Sequence, residues 1–286
     1  MIRFFAVLTA ARAVPDSAAA EAMAHLTAFG AVPGEARRLA PWAIEVPVLA
    51  EGTPQITLSG PYDVNLVPAQ GRVKKLLLAD MDSTIIPVEC IDELADFAGV
   101  KAQVSAITEA AMAGELDFEQ AIDARVALLK GLPLDTLQRC FDERITLNPG
   151  ARALVAGIKA AGGTTALVSG GFTYFTSRVA ALAGFDSHVA NTLEVEGEML
   201  SGTVARPILG RAAKAERLHA LCSDLGITPR DVLAIGDGAN DLDMVRLAGL
   251  GVAFHAKPAL AEHANARLDH SDLRAPLALM GLDLPI

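Results

Sequence analysis

Cysteine is scarce in this chain, with only Cys90, Cys140 and Cys222, far apart from one another. They offer no CxxC pair, no zinc spacing and no even-numbered disulfide framework. They read as small buried hydrophobes, which fits a cytoplasmic location. Positive charge is also short: 24 Lys and Arg against 34 Asp and Glu leave a net charge of -10. That balance argues against a broad nucleic-acid footprint. An anionic ligand would need a local site with a metal or aimed N–H groups. No stretch reads as a transmembrane helix. The longest uncharged run, Ala160 to Ser177, carries paired Gly and Thr residues and a polar Ser-Gly-Gly. The opening "MIRFFAVLTAARAV" loosely imitates a signal peptide, but its polar start is minimal and its apolar run short, so it reads as a first β-strand. Repeats of fixed period and low-complexity tracts are absent.

Apolar bulk is what the chain has in quantity. Hydrophobic residues make up 52% of 286 positions, enough for one large domain or two unequal ones and too many for global disorder. Residues 1–70 read as a small α+β unit: "IRFFAVLT" a strand, "SAAAEAMAHLTAFG" a helix, "WAIEVPVL" a strand, and the turn-rich "LSGPYDVNLVPAQGR" the linker. From 71 to 286 strands and helices alternate: "VKKLLLAD", "TTALVS", "DVLAIG" and "LGVAF" are strands with helices between them. This predicts an α/β fold, a doubly wound and mainly parallel Rossmann-like sheet. "LEVEGEML" predicts a hairpin around Glu196–Gly197. Residues 88–145 break the alternation with helical patterns only, as expected of a helical cap inserted over the sheet's C-terminal edge.

Ligands of such sheets sit beyond the carboxyl ends of the strands. Three ends carry polar clusters: Asp80-Met81-Asp82-Ser83-Thr84, Ser169-Gly170-Gly171, and Gly236-Asp237-Gly238-Ala239-Asn240-Asp241. Taken singly, each has an ordinary explanation as a turn or a helix cap. Together on one edge they suggest more. One Asp of the DxD pair can attack phosphorus while the other exchanges a proton with the leaving group. Asp237 beside Asp80 suggests a hard-cation site of the Mg²⁺ type. Ser169-Gly170-Gly171, opening a helix, would present N–H groups to an anion. Lys214 alone reads as a solvated helix residue.

"DMDST", "SGGF" and "GDGAND", in this order, resemble the haloacid dehalogenase superfamily. "MAGELDFEQAIDARVALLKGLP", "ALVSGGFTYFTSRVA" and "IGDGANDLDMVRLAGLGVAFHAKPAL" are similar to its phosphoserine phosphatase branch, over roughly residues 73–260. The resemblance implies Mg²⁺-dependent hydrolysis of O-phosphoserine to serine and phosphate through an aspartyl-phosphate, the last step of serine biosynthesis. It implies Asp80 as nucleophile and Asp82 as general acid/base. Ser169, Gly170, Lys214 and Asn240 would hold the phosphoryl group. One Mg²⁺ would be bound by Asp80, Asp237 and the Asp82 carbonyl, with Asp241 in support. Glu89 would meet the substrate ammonium and Arg125 its carboxylate, with Met112 and Phe118 closing the pocket. Asp243 stands where the family more often has a non-acidic residue. The N-terminal unit has a fainter, ACT-like resemblance, which leaves a ligand site, a spacer or a homodimer contact open. Neither nucleic acid nor membrane is an expected partner. A phosphatase or phosphotransferase for another small phosphate, and a catalytically silent amino-acid-binding regulator, are the alternative readings.

Overall fold

A computed structural model describes residues 1–112 and 115–282. The N-terminal part contains β1 (Ile2–Thr9), α1 (Asp16–Ala28), β2 (Val32–Pro33), β3 (Arg37–Ala40), β4 (Ala43–Ala50) and β5 (Asp63–Pro68). They build an antiparallel sheet in the order β2-β4-β1-β5, with β3 also paired to β4. Side chains alternate across β1, as they must in a pleated strand. Phe4, Ala6 and Leu8 pack in the cluster that contains Ala22 and Leu26 of α1. Val7 instead joins Trp42, Val67 and the main body of the molecule in a second, continuous apolar cluster.

The main body is a sheet of six parallel strands in the order β13-β12-β11-β6-β7-β8. Its strands are β6 (Leu76–Ala79), β7 (Thr164–Phe172), β8 (Ser187–Asn191), β11 (Val232–Gly236), β12 (Leu250–Phe254) and β13 (Ala266–Leu268); β9 (Leu193–Glu196) and β10 (Met199–Val204) form a separate hairpin. Every residue of β6, β11 and β12 is buried, so these strands are continuous apolar runs, as a sheet covered on both faces requires. β6 is flanked by β7 on one side and β11 on the other, which makes it the point where the winding reverses.

Between β6 and the crossover helix that leads into β7, the described chain forms four helices: α2 (Cys90–Phe97), α3 (Lys101–Met112), α4 (Phe118–Ala127) and α5 (Leu134–Arg144). The core helices that follow are α6 (Ala151–Ala160), α7 (Thr173–Ala183), α8 (Arg211–Leu225), α9 (Leu242–Leu247), α10 (Pro258–Ala261) and α11 (Ala275–Met280). α7 and α8 stop at Gly184 and Gly226, both in the left-handed conformation that lets a chain leave a helix sharply. The two chain crossings into the four-helix segment are tied side by side. Asn148 donates its N–H to the Ile85 carbonyl (2.8 Å) and its Nδ2 to the Thr84 carbonyl (2.7 Å). Among the described residues no helix is long and apolar enough to cross a membrane.

Two segments differ from the sequence expectation. The turn-rich stretch read as a linker contains strand β5. Its inward Asp63 and Asn65 look unsuited to a buried strand, but their partners lie far along the chain. Asp63 accepts the N–H groups of Asp269 (2.9 Å) and His270 (3.1 Å) and the Ser271 hydroxyl (2.6 Å). Asn65 exchanges two hydrogen bonds with the backbone of Arg267, donating at 2.9 Å and accepting at 2.8 Å. Secondly, Ser169-Gly170-Gly171 does not open a helix. It is a bulged end of β7, and α7 begins at Thr173. Arg72 completes the junction between the sheets. It donates to Glu45 Oε2 (2.8 Å) and to the carbonyls of Ala278 (2.8 Å) and Leu279 (2.6 Å).

Asp63→Ala would leave three donors without their acceptor in a half-buried junction. We expect a loss of about 2–4 kcal/mol, read as a lower urea midpoint. An unchanged midpoint would show that this carboxylate does not hold the junction.

Candidate active site

β6 delivers Asp80 at its carboxyl end, where the Asp80 N–H still makes a ladder bond to Ile235 (3.0 Å). The chain then leaves the sheet in a tight turn, closed by Ile86 N–H donating to the Met81 carbonyl (3.0 Å). Ser83 takes a left-handed φ of 55° in this turn, an uncommon conformation for a residue with a Cβ. The turn holds the Asp82 side chain beside that of Asp80 instead of sending it to the opposite face. Neighbouring β11 delivers Asp237, and the bulge of β7 delivers Ser169. Adjacent strand ends at the reversal point thus bring all three sequence clusters together.

Five acidic groups meet here. Asp80, Asp82, Asp237 and Asp241 are buried, and Glu89 lies at the start of α2. Lys214, fully buried on α8, is the counter-charge: its Nζ lies 2.8 Å from Asp80 Oδ1 and 2.6 Å from Asp241 Oδ1. Burial opposes the Lys214 charge, but Asp241 and Asp80 outweigh it and hold the ammonium above its ordinary range. The second Asp241 oxygen accepts the N–H groups of Asp237 (3.2 Å) and Gly238 (3.1 Å). Asp241 is therefore fully engaged and sets the loop that carries Asp237. Gly236 has to lack a side chain, since a Cβ there would lie 2.4 Å from the Asp241 carboxylate.

Asp80 Oδ1 is occupied by Lys214 and by the Met81 N–H (2.8 Å), leaving Oδ2, among the described residues, with only a long contact from Asn240 Nδ2 (3.4 Å). Asp82 accepts Cys90 N–H (3.0 Å) on one oxygen and the Ser169 hydroxyl (3.2 Å) on the other. Burial pushes Asp82 up to about 8, with Glu89 and Asp80 adding repulsion. Burial and the same two neighbours push Asp237 up to about 6. One oxygen each of Asp80, Asp237 and Asp241 lie within 4.8 Å of one another. This is a set of hard oxygen donors with an excess of negative charge, which suits Mg²⁺. Because Asp241 is engaged by Lys214 and two backbone N–H groups, Asp80 and Asp237 are the carboxylates with capacity to hold it.

Above the acids lies a cavity of about 910 Å³, lined by Asp80, Asp82, Ser169, Gly170, Asp237 and Asn240 on the sheet side. Glu89, Phe118 and Arg125 line it from the four-helix segment. Phe118 packs beside Gly170 and Gly210, where a Cβ would approach its ring to 3.2 Å and 3.1 Å. Arg125 donates Nε to the Ala121 carbonyl (3.1 Å) and has no ion pair within 4 Å among the described residues. Burial lowers its pKa, and the charges that favour its ionisation are Asp92 and Glu89. Glu89 accepts the Ser83 hydroxyl at 2.7 Å, yet burial still raises its pKa. The Met112 side chain lies outside the described residues. Asp92 and Lys257 line the same cavity and were not anticipated. The signal for Asp92 was its place three residues beyond Glu89 on one helix face. Asp243 lies outside this cavity, paired with Arg211.

Residues 77–246 match the haloacid dehalogenase-like hydrolase family. The chain belongs to that family. It is 49% identical to a phosphoserine phosphatase of Albidiferax ferrireducens over 72% of this chain and 89% of that protein. A crystal structure of a haloacid dehalogenase family hydrolase from Salmonella enterica subsp. enterica serovar Typhi superposes with a TM-score of 0.84 at 30% identity. It covers 97% of this chain and 98% of that one, so the similarity includes the N-terminal sheet. A phospho-aspartyl intermediate analogue of phosphoserine phosphatase superposes with a TM-score of 0.67 at 42% identity, over 72% of this chain and 98% of that one.

The folded, metal-free protein keeps a proton on Asp82 up to about pH 8, whereas an unfolded Asp loses it near 4. The folded state then binds more protons than the unfolded chain, so stability falls as pH rises through this window. Asp82→Asn cannot ionise and should be more stable than the parent by over about 1 kcal/mol at pH 8 in chelator. Equal urea midpoints at pH 8 would mean that Asp82 is already ionised in the fold.

Proposed function

We propose that this protein is a Mg²⁺-dependent phosphomonoester hydrolase that removes phosphate from O-phosphoserine, the closing step of serine biosynthesis. The observation that carries this reading is the pairing, across one cavity, of two kinds of recognition. On the sheet side an under-engaged Asp80 oxygen stands beside Asp82, whose pKa burial pushes well above the usual carboxylate range. On the helical side Arg125, without an ion pair among the described residues, stands with Glu89, a cation and an anion for the carboxylate and ammonium of an amino acid. The similarity to phosphoserine phosphatases points the same way.

In this reading Asp80 Oδ2 attacks phosphorus, forming an aspartyl-phosphate as the bond from phosphorus to the serine oxygen breaks. Asp82 gives its proton to that oxygen, for which its raised pKa suits it. Water, deprotonated by the same carboxylate, then attacks phosphorus and frees Asp80 and phosphate. Ser169, the N–H groups of the β7 bulge, Lys214 and Asn240 hold the phosphoryl oxygens, since positioning and charge stabilisation dominate phosphoryl transfer. Mg²⁺, held by Asp80 and Asp237 with the Asp82 carbonyl, would neutralise the dianion and offset its repulsion by the acids. Phe118 closes the cavity over the substrate, and Met112 is assigned the same task.

Phosphate release from phosphoserine and a panel of small phosphate esters, with Mg²⁺ and with chelator, tests the reading. Phosphoserine should be preferred and chelator should stop turnover. A preference for another ester, or transfer of the phosphoryl group to an added alcohol, would replace it with the corresponding phosphatase or phosphotransferase. Asp80→Asn should abolish turnover with the fold intact, and normal release by that variant would refute the nucleophile.

Arg125→Lys tests the amino-acid clamp. Lys cannot make a bidentate pair with a carboxylate. The variant should lose about ten- to a thousandfold in kcat/KM for phosphoserine, equivalent to about 1.5–4 kcal/mol. An aryl phosphate should hardly be affected. Equal losses on both substrates would make Arg125 a support of the helical segment instead.

A further inference from the structure

The bulge in β7 raises a question of hydrogen-bond accounting. Between the pairs Val168–Val189 and Phe172–Asn191, β7 has three residues where β8 has one. A bulge of this kind leaves backbone groups without ladder partners, and here the extra residues are the Ser-Gly-Gly that faces the cavity. Within the bulge Ser169 Oγ accepts the Gly171 N–H (2.8 Å), and the Gly170 carbonyl is satisfied by Asn191, a buried polar residue at the end of β8. Its Nδ2 donates to the Gly170 carbonyl (2.8 Å) and to the Leu209 carbonyl (3.2 Å), while its Oδ1 accepts the Leu209 N–H (2.6 Å).

We propose that Asn191 is a positioning residue for the reaction assigned above, on which this inference rests. Its carboxamide clips the Ser169–Gly171 bulge to the segment that starts α8. Two parts of the site depend on that clip. One is the direction of the Gly170 and Gly171 backbone, which faces the phosphoryl position. The other is the slot between Gly170 and Gly210 in which Phe118 seats. Gly210 is also the residue before α8, the helix that carries Lys214. Asn191 touches neither substrate nor reacting atoms. It fixes the spacing of groups that do, using a donor toward two carbonyls and an acceptor toward one N–H. A carboxamide supplies this arrangement, and Ala, Ser or Asp cannot supply all of it.

The test compares the full-length parent with Asn191→Ala and Asn191→Ser, in Mg²⁺, at a temperature where each is folded by circular dichroism. Phosphoserine, an aryl phosphate and inhibition by orthovanadate, a phosphoryl mimic, are measured. Misplacing the bulge should lower kcat/KM about ten- to a hundredfold for both esters, because both present the same phosphoryl group. The orthovanadate inhibition constant should rise by about tenfold. Asn191→Ser, which keeps one hydroxyl donor, should lose less, and it decides the matter if the Ala variant does not fold. A merely structural Asn191 would lower Tm while leaving kcat/KM and orthovanadate inhibition at parent values; that outcome overturns the proposal. A parent protein that hydrolyses no ester would instead overturn the phosphatase reading, so the two failures are distinct.

Discussion

The site depends on one buried cation. Without Lys214, Asp80, Asp82, Asp237 and Asp241 would be a dense group of carboxylates at the edge of an apolar sheet, and burial would keep most of them neutral. Lys214 stands between Asp80 and Asp241 and is fully buried with them. Each partner makes the burial of the others tolerable. Removing Lys214 would leave two buried carboxylates without their counter-charge, which is the costly way to break a buried ion pair. One oxygen of Asp80 is committed to this unit and the other is not. In the proposed reaction that asymmetry leaves one Asp80 oxygen for attack while the carboxylate stays fixed in position.

The sheet and the helical segment divide the chemistry between them. The sheet side is rigid and acidic, made from strand ends whose backbones are tied into parallel ladders. The helical side adds Phe118, Glu89 and Arg125 from α4 and the start of α2. In the proposed reaction, one side handles the phosphoryl group and the other reads what is attached to it. A change of substrate would then need changes on α2 to α4 only, leaving the strand ends untouched.

Much of this was legible in the chain. Apolar runs ending in Asp80, Asp237 and Ser169 announce parallel strands with polar ends, because strands covered on both faces carry little polarity elsewhere. The structure brings those ends together, with Phe118 and Arg125 opposite them. What was hidden depends on partners distant in sequence. β5 looked like a linker because Asp63 and Asn65 are satisfied only by residues near position 270. The Ser-Gly-Gly looked like the start of a helix because a bulge has no local signature apart from its glycines. Asn191, one amide in an ordinary edge strand, carried no signal. Lys214 was read from resemblance alone, since its burial comes from a fold that no local pattern describes.

Asn148 ties together the two chain crossings of the four-helix segment, by hydrogen bonds to Thr84 and Ile85. An insertion whose ends meet at one point adds little strain to its host, and the entropy of closing it grows only slowly with its length. The sheet and its crossover helix α6 can therefore assemble with different segments between Ile86 and Leu147, and this segment is attached much as a side branch is attached to a stem. Such branches tolerate lengthening, shortening and replacement. In this molecule the part that can be exchanged most freely during descent is also the part that, in the proposed reaction, faces the organic half of the substrate.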